Sequence, residues 1–125
     1  MRHFSTVVTQ VSPEARELVA EGVLILFAEG APPELAEVSV LHRVVTAPTE
    51  VAPPVGTRLT FPGVSTRITA IGEYAWKKIG DMGHVVINFN DAAETIRPGE
   101  ICVSSVDLVA LAAALTPGAE IAIEA

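Results

Sequence analysis

Short stretches rich in β-branched residues recur along this chain, and turn residues separate them. Phe4 to Val11 reads as a first strand. Val23 to Phe27 is continuously apolar, as expected for a strand covered on both faces. Val38 to Val45 follows. Thr57 to Phe61 and Thr66 to Ile71 flank the turn pair Pro62-Gly63, and Thr66, Ile68 and Ala70 alternate with Arg67, Thr69 and Ile71. His84 to Phe89, Ile101 to Ser104 and Ala119 to Glu124 complete the strands. In the last, Ile121 and Ile123 oppose Glu120, Ala122 and Glu124, the period of a half-buried strand.

Helical spacing is confined to short pieces. Ser12-Pro13 supplies an N-cap and a first-turn proline, after which Ala15, Leu18 and Val19 share a side and Gly22 stops the turn. Tyr74 to Met82 places Trp76 and Ile79 at helical spacing and ends at Gly83. Asp107 caps Leu108 to Leu115, and Pro117-Gly118 ends that run; Pro33 to Ala36 allows one further turn. Between Thr46 and Gly56 lie three prolines and few strand formers, which predicts a surface loop or irregular edge and not a linker. The expectation is an all-β fold, a barrel or sandwich of about eight short strands with two or three short helices, forming one domain over residues 1–125.

Composition narrows the function classes. Asp and Glu number 15 against 8 Lys and Arg, and the longest basic run, Lys77-Lys78, is no patch, which argues against nucleic-acid binding. An acidic surface suits a basic protein partner. One cysteine, Cys102, forms no internal disulfide and reads as a small buried hydrophobe. No stretch nears the ~20 apolar residues of a membrane span, so a soluble cytoplasmic protein without direct membrane insertion is expected.

Chemistry-bearing residues are few. By period-two parity His42 shares a face with Val38, Val40 and Val44. A histidine among valines is ordinarily a structural imidazole. It also suits a nucleophile, because a ring with an ordinary pKa of ~6.5 is mostly neutral near pH 7 and apolar neighbours fix its rotamer. His84 follows Gly83 at the start of a strand. Gly83 either lets an anion approach its backbone N–H or is simply the left-handed stop of the preceding helix. Lys77, Lys78 and Arg43 read as solvated side chains, Trp76 as a core anchor, and His3 as a residue without companions. Glu29 is either a turn residue or a partner-steering charge. No Cys or His lies three or four residues from His42 or His84, and no phosphate-binding loop, GxSxG or HExxH pattern occurs.

Two stretches resemble the glucitol/sorbitol-specific enzyme IIA family of the bacterial sugar phosphotransferase system. One is the acidic-Gly-Ala-Pro run from Glu29, followed by leucine and then His42. The other is Ala70-Ile71-Gly72-Glu73 with the Gly83-His84 pair ten residues on. Together they cover Val23 to His42 and Ala70 to Phe89.

The resemblance implies a mainly β phosphocarrier whose His42 takes a phosphoryl group from the general histidine phosphocarrier protein. It would pass that group to a cysteine on the IIB part of a membrane glucitol/sorbitol permease. No cofactor is implied beyond the covalent phosphohistidine, and no metal. On shared motif and geometry, Gly83 is expected near the phosphate and His84 in support. Two other readings stay open: a non-catalytic β-barrel binding or regulatory module, signalled by a His42 fully buried and hydrogen-bonded, and a metal site joining His42, His84 and a carboxylate.

Overall fold

The computed structural model describes residues 1–125. Eight strands close into a barrel: β1 (Arg2–Val11), β2 (Val23–Ala28), β3 (Val40–Thr46), β4 (Arg58–Phe61), β5 (Val64–Ile71), β6 (Val85–Asn88), β7 (Glu100–Val103) and β8 (Glu120–Glu124). Four helices interrupt them: α1 (Pro13–Ala20), α2 (Pro33–Ala36), α3 (Ala75–Met82) and α4 (Leu108–Ala114). The order around the barrel is β1-β3-β2-β6-β7-β5-β4-β8, and β8 pairs with β1 to close it. The barrel alternative of the sequence reading is therefore the one realised, and closure leaves no free sheet edge.

Two neighbouring pairs, β2–β3 and β6–β7, run parallel. Parallel neighbours cannot be joined by a tight hairpin. Residues 29–39, carrying α2, and residues 89–99 make the two crossovers. The remaining pairs are antiparallel.

The interior follows period-two alternation. Phe4, Thr6 and Val8 of β1, Leu24 and Leu26 of β2, Val40 and His42 of β3, and Ile121 and Ile123 of β8 all point inward and are buried. Val23 to Phe27 departs from expectation: Leu24 and Leu26 are buried, whereas Val23, Ile25 and Phe27 are only half-buried. Its outer face is only partly covered, with the His84 ring against Phe27.

The helices start and stop where the sequence indicates. Ser12 Oγ accepts the Ala15 N–H and Asp107 Oδ1 accepts those of Val109 and Ala110. Trp76 is buried and its Nε1–H donates to the Thr49 carbonyl at 2.7 Å, while the Thr49 N–H donates to the His3 carbonyl at 2.9 Å. The 46–56 loop is thus fastened to both β1 and α3. No helix is long and apolar enough to cross a membrane.

The start of α3 depends on a close backbone approach. Gly72 N–H donates to the Glu100 carbonyl at 2.7 Å, Tyr74 N–H to the Pro98 carbonyl at 2.9 Å, and a Cβ on Gly72 would stand 2.3 Å from Pro98 O. Gly72→Ala should therefore destabilise the protein by about 1–3 kcal/mol. Gly80→Ala, in the same helix with open space around it, should stabilise by up to ~1 kcal/mol. Urea denaturation of both variants checks the contrast.

Candidate functional site

Four adjacent strands build the site. β1, β3, β2 and β6 lie side by side, and in register Val8 pairs with His42 and His42 with Ala28. Leu26 pairs with Val85, so the Gly83-His84 turn reaches the end of β2 beside Ala28. The long 29–39 crossover that parallel pairing demands starts here, and Glu29 N–H donates to the His42 carbonyl at 3.0 Å.

His42 is completely buried, with 0 % of its surface exposed. Val40 shares its inward face, as the alternation predicts. Val44 instead stands on the exposed rim, so the histidine is the last fully buried position of β3. Phe4 presents its edge to the imidazole, with ring centroids 6.3 Å apart at 83°.

Both ring nitrogens have partners. Nε2 lies 2.6 Å from the Gly83 carbonyl and Nδ1 lies 2.6 Å from Thr6 Oγ1. A carbonyl only accepts, so Nε2 carries a hydrogen. Thr6 Oγ1 also lies 2.8 Å from the Arg43 carbonyl. Its single hydroxyl hydrogen decides the arrangement. With a neutral ring, Thr6 donates to Nδ1. With a protonated ring, Nδ1–H donates to Thr6, and Thr6 donates to Arg43 O.

Burial chiefly sets the ring's proton affinity. Desolvation lowers the His42 pKa, while the Gly83 carbonyl and the Glu29 carboxylate oppose it. The neutral ring is therefore the resting form near pH 7.

Gly83 differs from one expectation. It adopts φ +61° as the left-handed stop of α3, and its N–H donates to the Ile79 carbonyl at 2.9 Å. His84 N–H closes the same C-terminal motif on the Lys78 carbonyl at 3.3 Å. The Gly83 N–H is thus not free for an anion. What the turn offers the imidazole is a carbonyl oxygen, because a Schellman stop uses up the N–H groups and leaves the carbonyl pointing onward. The absence of a side chain is required, since a Cβ would lie 2.8 Å from Ala28 Cβ and 3.2 Å from His42 Cε1.

His84 lies on the other side of the wall. Its Nδ1–H donates to the Leu26 carbonyl at 3.0 Å and its ring stacks on Phe27 at 4.9 Å. It follows the outward parity of Val86 and Asn88, whereas His42 follows the inward one. The turn brings Gly83, not the His84 side chain, to the His42 ring. No group of three or more His, Cys, Asp or Glu side chains is placed to hold a metal ion.

Other singled-out residues have plain roles. Lys77 pairs with Asp81 on the exposed face of α3. Arg43 is exposed, Cys102 is buried with its thiol pKa raised by desolvation, and His3 lies 3.4 Å from Thr49 Oγ1. Thr6 is the residue that sequence reasoning missed. The signal was present: a threonine on the inward parity of β1 between Phe4 and Val8 needs a buried hydrogen-bonding partner.

Residues 3–122 match the family described as the PTS system glucitol/sorbitol-specific IIA component. The glucitol/sorbitol-specific EIIA components of Shigella flexneri and Escherichia coli K12 are each 27 % identical over 101 residues, covering 81 % of this chain and 80 % of theirs. A crystal structure of a PTS system IIA component from Enterococcus faecalis V583 superposes with a TM-score of 0.74 at 19 % identity, covering 97 % of this chain and 99 % of that one. At that identity the structure speaks for the fold.

Two outcomes follow from the buried ring. Gly83→Ala should cost about 1–3 kcal/mol through strain at a positive φ and contact with Ala28. The unfolded chain, with its imidazole titrating near ~6.5, takes up a proton before the folded one does. The contribution of neutral His42 to stability is then complete above about pH 6.5 and falls as pH drops below it. Comparing urea midpoints of the parent and His42→Gln at about pH 7.5 and about pH 5 should show the parent's advantage shrinking in acid.

Proposed function

Because the chain belongs to the glucitol/sorbitol-specific IIA component family of the phosphotransferase system, we propose that it is a phosphocarrier with His42 as acceptor. The observation that supports this reading is the placement of His42, the histidine that the resemblance singles out. Its Nε2 is held by a single turn, and its Nδ1 by the barrel wall.

The chemistry assigns the nitrogens. Nδ1 faces Thr6, which is itself fully buried in β1. Nε2 faces the C-terminal stop of α3, beside the exposed Met82. Withdrawal of the Gly83 carbonyl uncovers Nε2 without disturbing a strand. Water reaching the uncovered ring takes the Nε2 hydrogen while Nδ1 takes up a proton from solvent, and Nδ1–H then donates to Thr6 Oγ1, whose own hydrogen turns to the Arg43 carbonyl. That relay leaves the Nε2 lone pair free to attack.

Nε2 forms a bond to phosphorus as the N–P bond of the donor's phosphohistidine breaks, and the electron pair returns to the donor ring. In the second transfer a cysteine thiolate of the IIB part attacks the same phosphorus, and the bond to Nε2 breaks. The protein's task is alignment and shielding, since phosphoryl transfer needs little else from a side chain. No cofactor takes part beyond the covalent phosphohistidine. The donor is the histidine phosphocarrier protein, the acceptor a glucitol/sorbitol permease, and the compartment the cytoplasm. Gly83 acts as the cover that must yield to phosphate, and His84 steadies that cover through Leu26 and Phe27.

A second reading is favoured by one observation. His42 is wholly buried with both nitrogens bonded, the arrangement expected of a structural imidazole in a non-catalytic binding module. Labelling separates the two. With phosphoenolpyruvate and the two upstream proteins, the parent should take up an acid-labile, base-stable phosphate and His42→Ala none. Equal labelling of His42→Ala, or no labelling of the parent, overturns the phosphocarrier reading. Thr6→Val, which deletes the hydroxyl at nearly constant shape, should slow labelling about tenfold, the worth of one hydrogen bond of ~1.4 kcal/mol.

A further inference from the structure

Two of the few basic side chains of this acidic protein converge on one cleft. It has a volume of about 340 Å³ and lies between α3 and the 97–100 turn, with Lys78, His84, Arg97, Gly99 and Glu100 among its walls. The ion pairs of the molecule engage Arg2 and Lys77, which leaves Lys78 and Arg97 without an acidic partner. Lys78 lies over Gly99, where a Cβ would stand 3.2 Å from Nζ.

The walls are fixed. The backbone bonds from Gly72 and Tyr74 to Glu100 and Pro98 hold the 97–100 turn against the start of α3. Glu100 is buried and lines the cleft, but its carboxylate is committed: Oε1 accepts the Arg97 N–H at 2.7 Å and Oε2 accepts from Asn88 Nδ2. It is held into the wall and forms no ion pair with either cation. His84 adds an Nε2 whose partner is open, because its Nδ1 is bonded to Leu26. That nitrogen accepts a hydrogen from a P–OH group when neutral and donates to an oxyanion when protonated.

We propose that this cleft binds a small phosphate monoester. Lys78, Arg97 and His84 line one hollow, and an ammonium, a guanidinium and an imidazole suit the oxygens of a phosphate group through charge-assisted hydrogen bonds. The volume exceeds that of the phosphate alone and lies at the small end of ligand sites, so it leaves room for an ester substituent. A larger hollow of about 610 Å³ beside Pro62, Ala113 and Pro117 offers no charged side chain and no comparable recognition. The site is separate from His42 and does not depend on its phosphoryl role. It does share the cover: His84 N–H and the Lys78 carbonyl close the turn that ends in Gly83. A ligand bridging those two side chains steadies that turn.

Calorimetric titration of the full chain with inorganic phosphate and with a hexitol monophosphate, at low salt, tests this. Backbone amide NMR on the same samples locates the site. The expected result is saturable binding, tighter for the ester, with shifts at Lys78, Gly83 to Val86 and Arg97 to Glu100, and slowed exchange of the Gly83 and His84 amides. Lys78→Ala and Arg97→Ala should each weaken binding about tenfold, the loss of one charged hydrogen bond. Glu100→Gln, which keeps an acceptor for Arg97 N–H, should tighten it. Equal affinity for both ligands overturns the monoester assignment. Absence of saturable binding, unchanged affinity in the Lys78/Arg97 double variant with a parental melting curve, or shifts centred on Arg43 instead, overturns the site.

Discussion

One hydrogen bond organises the His42 end of this barrel: the His42 Nε2–H to the Gly83 carbonyl at 2.6 Å. It forms only because α3 stops there in a left-handed residue without a side chain. A stop of that kind uses its N–H groups on the preceding turn and leaves a carbonyl facing the ring. Removing the bond would strand a buried carbonyl and a buried N–H, each at a cost of about 1–3 kcal/mol. The cover is therefore stable at rest.

The barrel topology supplies that arrangement. Parallel pairing of β2 with β3 forces a long crossover, which places Ala28 and Glu29 beside His42. The antiparallel neighbour β6 then brings the end of α3 to the same row. Thr6 of β1 completes the enclosure from the opposite flank. The two hydrogen bonds to the imidazole thus come from different neighbours of β3's sheet, Thr6 of β1 and the turn that leads into β6. The ring reports on the closure of the whole sheet at that point.

Much of the fold was legible because its signals are local. Eight apolar runs bounded by turns became eight strands within a few residues. Ser12, Asp107 and Gly83 capped or stopped the helices that they announce. The all-β class followed from β-branched runs bounded by turn residues, and the shared face of Val40 and His42 from period two. The choice between barrel and sandwich did not, because β1–β8 closure and the two parallel pairs are long-range pairings with no local mark. The depth of His42 was also hidden. Parity names the face but not the lid, and the lid comes from a turn far along the chain. For the same reason Gly83 was legible as a helix stop but not as the carbonyl that accepts the ring's Nε2–H. The Lys78–Arg97 cleft joins residues that only the fixed 97–100 turn brings together.

In the proposed phosphocarrier role, Nε2 of His42, covered by Gly83 at rest, is the atom that accepts phosphorus. Long-range proton–nitrogen NMR of the histidine rings reads this directly. Before phosphorylation, near pH 7, His42 should show a hydrogen on Nε2 and a bare Nδ1 bonded by Thr6. After phosphorylation it should show phosphorus coupling at Nε2 and a hydrogen on Nδ1. A resting ring with its hydrogen on Nδ1 alone, or phosphorus coupling at Nδ1 or on another residue, would contradict it.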